Sequence, residues 1–499
     1  MKQKHKHLLI AALGICLIAG GTALGIAWSH QHPSPQNTDS SQASGSSQIQ
    51  SSPEQINGDN PLLNAKLTGE ADVPGLPSKM IRTENGFYYF GKTADQNGNG
   101  FLRFVLKYAD KQSGECVVVC AKPECTHLNE YCTARNTRYQ AAGDEAVYYD
   151  GYLYQMVTKY PADHETPTAS PDGITNDYEG AEPILIRYAP DGTALEELVS
   201  FEGTLSETLK DFDGTGRIVA HKGALWISAS FTKSLSTVDA SGSSSTDYFR
   251  QYGIYHYEIS SGKLTCVLST ETLLKNTNCS PFTQLNALGD YVYCLKGKAD
   301  WKDPLNKYSG VIRIHAETGA VEDWLPDALD YAICEDYILY TMEKYVTNAA
   351  GYSVPKAVFY LYDLKTGESK PFLKDTYWLY PQFTCTKKWI IFTNIEDGSP
   401  ALMPLKVYDL QGNLLKECPI PLLQWEFTDD GREIPVGNAY EQLETLGFVA
   451  ADGDTLYLGS SDDALCDCSI PDLLAGNAEW TMRYNDSEPA MMFGYPSKP

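Results

Sequence analysis

From residue 86 onward the chain repeats one arrangement of apolar and polar positions. A short segment rich in aromatic residues is followed, after an excursion of variable length, by a second segment that ends in a tight polar turn. Within both segments apolar residues alternate with polar ones, which is typical of half-buried β-strands. The first segments are GFYYFG (86–91), DGYLYQM (150–156), KGALWISA (222–229), GDYVYCL (289–295), EDYILYT (335–341), KKWIIFT (387–393) and GDTLYLG (453–459). The second segments are FLRFVLKYADKQSGE (101–115), ILIRYAPDGTA (184–194), GIYHYEISSGK (253–263), VIRIHAETGA (311–320), VFYLYDLKTGE (358–368), LKVYDLQGN (405–413) and WTMRYNDSE (480–488).

Seven copies of this strand pair predict an all-β chain with a seven-bladed β-propeller over residues 61–499. The copies follow one another at intervals of roughly 45 to 75 residues, near the length of a propeller blade. One blade cannot bury both faces of its small sheet, whereas a closed ring covers every face and leaves only short edges. Six or eight blades would follow if one copy were split or missed, and an array of β-sandwiches is the alternative architecture.

Three excursions between the paired strands are long and rich in proline, glycine, serine and acidic residues. They cover 159–183, 232–247 and 422–441, and the pattern predicts loops there. In a propeller such loops gather on the faces of the disc, where ligands bind. A binding surface is therefore expected among them.

The first 60 residues have a different composition. Three lysines within the first six residues precede an uncharged apolar run over 8–28, which as a helix would be about 31 Å long, one hydrocarbon core. This order predicts a basic cytoplasmic stub (1–7), a single transmembrane anchor and an extracytoplasmic remainder at the cell membrane. A cleaved signal sequence of a secreted protein is one alternative, and a lipoprotein signal at Cys16 is another. Residues 29–60 are rich in Ser, Gln and Pro and predict a disordered linker.

The formal net charge of −25 argues against a nucleic-acid partner and against docking on anionic lipid. An acidic surface also keeps an exported domain soluble. Tyrosine, with 33 copies, outnumbers phenylalanine, with 16. Tyrosine fits half-buried strands, and it also suits the recognition of sugars or proteins, because its ring contacts a ligand while its hydroxyl stays hydrated.

The most specific local group of residues is CAKPECTHLNEYC at 120–132. Cys120, Cys125, His127 and Cys132 form the pattern Cys-x4-Cys-x-His-x4-Cys, a sufficient ligand set for a tetrahedral structural zinc ion. A structural disulfide within the same loop is the alternative. Either would fix the loop that closes the first blade.

The remaining cysteines fit an oxidising exterior. Twelve of the 13 cysteines follow the apolar run, an even number that favours disulfides outside the cell. Cys294, Cys334 and Cys385 lie in or beside apolar strands, where a buried thiol would be equally ordinary.

The phrase VVVCAKPECTHLNEYCTA (117–134) resembles one found in a group of uncharacterised exported proteins of Firmicutes, especially Clostridia. The matching positions are Cys120, Lys122, Pro123, Cys125, His127, Cys132 and Ala134. The resemblance implies a propeller-like domain behind a membrane anchor or lipoprotein signal, and no known reaction. The turns SPDG (170–173) and PDG (190–192) are similar to those of TolB-type propellers, although turn chemistry alone explains them.

No complete catalytic motif was found: Gly-x-Ser-x-Gly and His-Glu-x-x-His are both absent. We therefore expect an anchored binding or scaffolding module for a protein, peptide or glycan of the cell envelope. No cofactor is certain, and structural zinc is the candidate. The alternative hypothesis is a carbohydrate-active lyase or glycosidase that uses acidic residues of the loops, such as Asp163, Asp172 or Asp177.

Overall fold

A computed structural model describes residues 80–83, 85–93, 103–122, 125, 132, 134, 139–159, 182–202, 211–212, 217–238, 244–270, 274–275, 282–297, 308–334, 336–347, 351–373, 382–393, 404–419, 426–427, 433–434, 448–459 and 464–485. All of them belong to the second of the two units into which the chain divides, Asp59–Pro499. The predicted stub, anchor and linker (1–60) lie outside the described residues. Within these residues, no helix has the length and hydropathy that a membrane span requires.

The described strands form seven antiparallel sheets of at least four strands, each built from consecutive strands of the chain. The fold is an all-β seven-bladed propeller, as the sequence pattern predicted. Blade 1 consists of Met80–Arg82, Gly86–Thr93, Arg103–Asp110 and Cys116–Val118; blade 2 of Tyr139–Tyr149, Tyr152–Lys159, Glu182–Tyr188 and Leu195–Ser200. Blade 3 consists of Ile218–His221, Ala224–Val238, Ser244–Glu258 and Lys263–Ser269, with the added short strands Asp211–Phe212 and Leu274–Lys275; blade 4 of Phe282–Leu288, Tyr291–Gly297, Tyr308–His315 and Val321–Leu325.

The second half of the ring repeats the arrangement. Blade 5 consists of Ala328–Cys334, Tyr337–Thr347, Ser353–Asp363 and Ser369–Pro371; blade 6 of Gln382–Cys385, Trp389–Thr393, Pro404–Asp409 and Leu414–Pro419; blade 7 of Phe448–Asp452, Thr455–Gly459, Ala464–Ser469 and Thr481–Asn485. A two-stranded hairpin, Glu426–Phe427 with Glu433–Ile434, lies between blades 6 and 7 in the chain, and a short helix, Ile470–Ala475, lies within blade 7. The paired segments seen in the sequence are the second and third strands of blades 1 to 6.

Blade 7 departs from this correspondence. The segment 480–488 was expected to be the partner of Thr455–Gly459, but Ala464–Ser469 takes that place and Thr481–Asn485 is the fourth strand. The third strand carries no aromatic residue, and a helix capped by Ser469 replaces the tight turn after it. For both reasons the sequence pattern missed it.

The turn between the third and fourth strands recurs with the same chemistry. In blade 1 the carboxylate of Asp110 accepts a hydrogen bond from the backbone N–H of Ser113 at 2.7 Å, and Gly114 has a φ of 73°. In blade 5 Asp363 accepts from the N–H groups of Lys365 and Thr366. An acidic side chain thus fixes the turn, and the residue free of a Cβ takes the left-handed conformation that closes it.

Seven clusters of buried apolar side chains hold the ring together, and each is shared by two neighbouring blades. The cluster between blades 7 and 1 is the smallest among the described residues, with six members. At this seam the Phe87 and Tyr457 rings meet edge to face with their centroids 6.0 Å apart. Arg82 forms an ion pair with Asp452 across the same seam. The contacts of the seam close the ring, since no described blade combines strands from both ends of the chain.

The antiparallel order of strands places the connections on two different faces. The turns after the first and third strands lie on one face and are short, except for the helix-containing connection of blade 7. The connections after the second and fourth strands lie on the other face. The described strand ends that flank the predicted long excursions all lie on the second face. One expectation is corrected here: 232–247 is mainly a hairpin, because Ala224–Val238 and Ser244–Glu258 pair along all of their residues. Its run of Ser and Thr was read as a loop, yet threonine and valine favour strands.

Candidate functional site

The cysteine loop lies at the edge of blade 1 that faces blade 2, between the fourth strand of one and the first strand of the other. Both of its ends meet at Leu106 of the third strand. The N–H of Val119 donates to the Leu106 carbonyl at 2.9 Å, and the N–H of Leu106 donates to the Ala134 carbonyl at 3.2 Å. The backbone therefore closes the base of the loop.

Three of the four predicted ligands come together at this base. The sulfur atoms of Cys120, Cys125 and Cys132 all lie within 4.8 Å of one another. Cys132 is fully buried, and the other two are half-buried against the apolar cluster of blades 1 and 2. Burial, together with the neighbouring Cys120, raises the pKa of the Cys132 thiol to about 12. His127, the fourth predicted ligand, lies outside the described residues.

This geometry suits a thiolate-bound metal or a disulfide. Sulfur ligands of tetrahedral zinc, at a Zn–S distance of about 2.3 Å, lie about 3.8 Å from each other. The three sulfurs are close enough to reach that arrangement with small side-chain movements. A disulfide would use two of them and leave the third beside it.

A turn of blade 2 packs against the cysteine loop. Gly192 has a φ of 73°, and a Cβ at this position would come within 2.6 Å of the Val119 carbonyl oxygen. The hydroxyl of Tyr88 in blade 1 donates to the Pro190 carbonyl in the same turn at 2.8 Å. The Pro-Asp-Gly turn noted in the sequence therefore also supports the base of the loop.

Hairpins of blades 3 and 5 extend furthest among the described connections between second and third strands. In blade 3 the short flanking strands reach only Thr232 and Phe249. The six residues Lys233–Val238 therefore pair solely with the hairpin partner within the described sheet. At about 3.3 Å per residue, this ribbon continues for about 20 Å. In blade 5, Tyr345 and Tyr352 near the hairpin end are 55 % and 69 % exposed.

No sequence motif indicated the polar cluster on the inner strands of blades 4 and 5. Gln284 Nε2 donates to Asp330 Oδ1 at 2.6 Å, and the Tyr331 hydroxyl donates to the Gln284 carbonyl. Burial raises the pKa of Asp330 to about 6. Neither strand carries a recognisable motif, because the cluster depends on two register shifts that bring distant residues together.

The acidic residues named for the enzyme hypothesis, Asp163, Asp172 and Asp177, lie outside the described residues. That hypothesis therefore stays a prediction. The same holds for a metal ligand at His127.

No protein-family model matches this chain, and a search of curated proteins finds no match. Among solved structures, the chain is similar to the β-propeller domain of the Trilobed protease from Pyrococcus furiosus, with 11% identity, a TM-score of 0.37, and coverage of 86% of this chain and 99% of that one. It is similar to an acylaminoacyl peptidase of Pyrococcus horikoshii (13% identity, TM-score 0.37, 85% and 52%) and to dipeptidyl peptidase 4 of Porphyromonas gingivalis (10% identity, TM-score 0.36, 84% and 54%). The chain thus spans about half the length of these two peptidases. These likenesses concern the propeller fold, and the resemblance to exported Clostridial proteins stays a prediction.

Proposed function

We propose that this protein is a membrane-anchored, extracytoplasmic propeller that binds a protein, peptide or glycan of the cell envelope. The binding surface is the face that carries the hairpins between second and third strands. The N-terminal apolar run over 8–28 anchors the ring, and the linker over 29–60 gives it reach.

The observation that carries this proposal is the extension of two hairpins on that face. Short strands at the edge of a sheet avoid unwanted pairing, whereas the blade 3 hairpin continues beyond its neighbours. The blade 5 hairpin presents Tyr345 and Tyr352 to solvent. Exposed tyrosines provide contact area at a low cost in conformational entropy, which suits recognition of a partner.

A binding screen tests the proposal. The full chain in detergent micelles is applied to a glycan microarray and to an immobilised peptide library, and the affinity of each hit is then measured. The double variant Tyr345→Ser with Tyr352→Ser is expected to weaken binding at least tenfold. Leu414→Ser with Leu415→Ser is the matched control, because these residues are 49 % and 44 % exposed on the outer strand of blade 6. Hits that bind both double variants equally well would contradict the proposed surface.

We also propose that the cysteine loop holds a structural zinc ion through Cys120, Cys125, His127 and Cys132. The proximity of the three sulfurs supports it. The chain purified from zinc-containing medium is expected to carry one zinc per molecule by elemental analysis, and Cys125→Ser to reduce this amount strongly. Cys116→Ser, at an exposed cysteine outside the group, is the control. A disulfide between two of the three cysteines, found by non-reducing mass spectrometry, would exclude the metal site.

A further inference from the structure

The backbone of Gln284 has a conformation that residues other than glycine rarely adopt. Its φ is 52°, in the left-handed region, which costs free energy for a residue with a Cβ. Its carbonyl accepts hydrogen bonds from the Tyr331 hydroxyl and from Asn286 Nδ2, the latter at 3.0 Å. Asn286 Nδ2 also donates to the Tyr331 hydroxyl at 3.1 Å. The surrounding side chains therefore fix a backbone conformation that local preference opposes, as is common at functional sites.

Register shifts in two neighbouring strands bring Gln284 to Asp330. The pairing of the first and second strands shifts between Thr283 and Asn286 in blade 4, and between Ala328 and Asp330 in blade 5. Such bulges redirect a side chain, and they are frequent beside active sites. First strands of successive blades contact each other around most of the ring, so they form its inner wall. Gln284 and Asp330 therefore lie on the inner wall of the propeller.

Two hydrogen-bond acceptors at this place are available. The Oε1 atom of Gln284 is buried and has no hydrogen-bond partner within the described structure. Asp330 accepts from Gln284 Nε2 at 2.6 Å and from the backbone N–H of Tyr331 at 2.7 Å, and both bonds end on Oδ1. Its Oδ2 remains to accept another. A buried acceptor without a partner has an energetic penalty that a bound donor would remove.

A positive charge, that of Arg217, acts on Tyr331, whose hydroxyl bonds to the Gln284 carbonyl. Arg217 precedes the first strand of blade 3, and its backbone N–H and carbonyl both bond to Ser228. Its charge partly offsets the effect of burial, which raises the pKa of Tyr331. A cationic ligand would be attracted by Asp330 and repelled by Arg217. A hydroxyl group has no such conflict, because it donates to a carboxylate or amide oxygen and accepts from a guanidinium.

We propose that Arg217, Gln284 and Asp330, on the inner wall of blades 3 to 5, bind a neutral ligand with adjacent hydroxyl groups, such as the end of a carbohydrate chain. One hydroxyl donates to Asp330 Oδ2, its neighbour donates to Gln284 Oε1, and the Arg217 guanidinium donates to a ligand oxygen. The site lies on the inner wall, near the ends of the first strands that meet the hairpin face. It uses none of the hairpin residues, and it does not depend on the function proposed for that face.

The test uses the full chain in detergent micelles and saturation-transfer NMR. The probes are cellotriose, maltotriose, xylotriose and chitotriose, with spermidine and butylamine as cationic probes. At least one sugar is expected to bind, and Asp330→Asn and Gln284→Gly are each expected to weaken that binding at least tenfold. Asp323→Asn is the matched control, because it removes one carboxylate from the exposed outer strand of the same blade 4, and it is expected to leave binding unchanged.

Gln284→Gly separates loss of a ligand contact from loss of the fold. Glycine adopts a positive φ without strain, so this variant is expected to keep or raise the thermal midpoint while it loses the sugar. If it unfolds, Asp330→Asn decides alone. The proposal is wrong if none of the four sugars binds, if both variants retain full affinity, or if only the amines bind through Asp330.

Discussion

Cys334 and Cys385 form a disulfide that joins the first strands of blades 5 and 6, with their Cα atoms 5.4 Å apart. Both residues are buried in the apolar cluster between these blades. The bond links two inner strands covalently and supplements their packing.

Removing this disulfide is expected to destabilise the ring. The bond spans a sequence separation of 51 residues, and a loop of that size corresponds to about 4 kcal/mol of chain entropy in the unfolded state. The double variant Cys334→Ala with Cys385→Ala should lose about 2–4 kcal/mol in urea unfolding. Cys294→Ala, at a buried cysteine of blade 4, controls for the loss of sulfur volume. An equal loss in both variants would show that the bond adds nothing.

Two glycines with the same φ allow a matched test of the support for the cysteine loop. Gly114 and Gly192 both have a φ of 73°, but a Cβ at Gly114 meets nothing within 4 Å, whereas at Gly192 it meets the Val119 backbone. Gly114→Ala should cost about 1 kcal/mol from backbone strain alone. Gly192→Ala should cost at least about 1 kcal/mol more and weaken zinc binding to the cysteine loop. Equal effects on chemical unfolding would contradict the close packing of the two blades here.

Asp330 should make stability depend on pH. Its pKa of about 6 in the folded protein exceeds the value of about 4 expected in the unfolded chain. The folded state therefore holds this proton more tightly, and the contribution of Asp330 to the free energy of unfolding should fall as the pH rises from about 4 to 6 and then stay level. Asp330→Asn has no carboxylate to titrate at this position. The free energy of unfolding of the variant minus that of the parent should therefore increase by about 1–3 kcal/mol between pH 4 and 7.

Urea unfolding at several pH values measures this difference, with Asp323→Asn as the control for the removal of one negative charge. If Asp330→Asn and the parent follow parallel curves from pH 4 to 7, the environment assigned to Asp330 is wrong.

The seam between blades 7 and 1 should open before the other joints. Phe87→Ala removes a fully buried ring from the smallest of the seven clusters, and such a change costs about 3–5 kcal/mol. In the Phe87→Ala variant, backbone amides of blades 1 and 7 should exchange their hydrogens faster than those of blades 3 and 4. Phe359→Ala, at a buried ring between blades 5 and 6, is the control and should leave the seam protected. Uniform loss of protection around the ring would contradict a weak seam.

The sequence was sufficient to predict the fold because each blade repeats a strong local signal. Alternating apolar residues in the second and third strands, and glycine after the third, set the strand pairs before any long-range contact is considered. The first strands, such as Met80–Arg82 and Ile218–His221, are short and carry little periodicity. The first strands were therefore not recognised, and among the fourth strands only that of blade 7, Thr481–Asn485, was part of a recognised segment.

The two candidate sites also differ in whether a local sequence signal indicates them. Cys120, Cys125 and Cys132 are close in sequence, so their spacing alone indicated a cluster. Gln284 and Asp330 come from different blades and meet only because each strand contains an irregularity. No local pattern encodes such a meeting, and the structure was required to find it.

Each described blade is one uninterrupted stretch of the chain. A nascent polypeptide can therefore complete its blades one at a time during synthesis, and each blade adds a surface on which the next one packs. Side-chain packing between the first and last blades would then close the ring, and no strand from one end of the chain would need to join a blade at the other end. The same modularity would let a gene gain or lose a whole blade by duplication or deletion, while the remaining blades keep their order of strands.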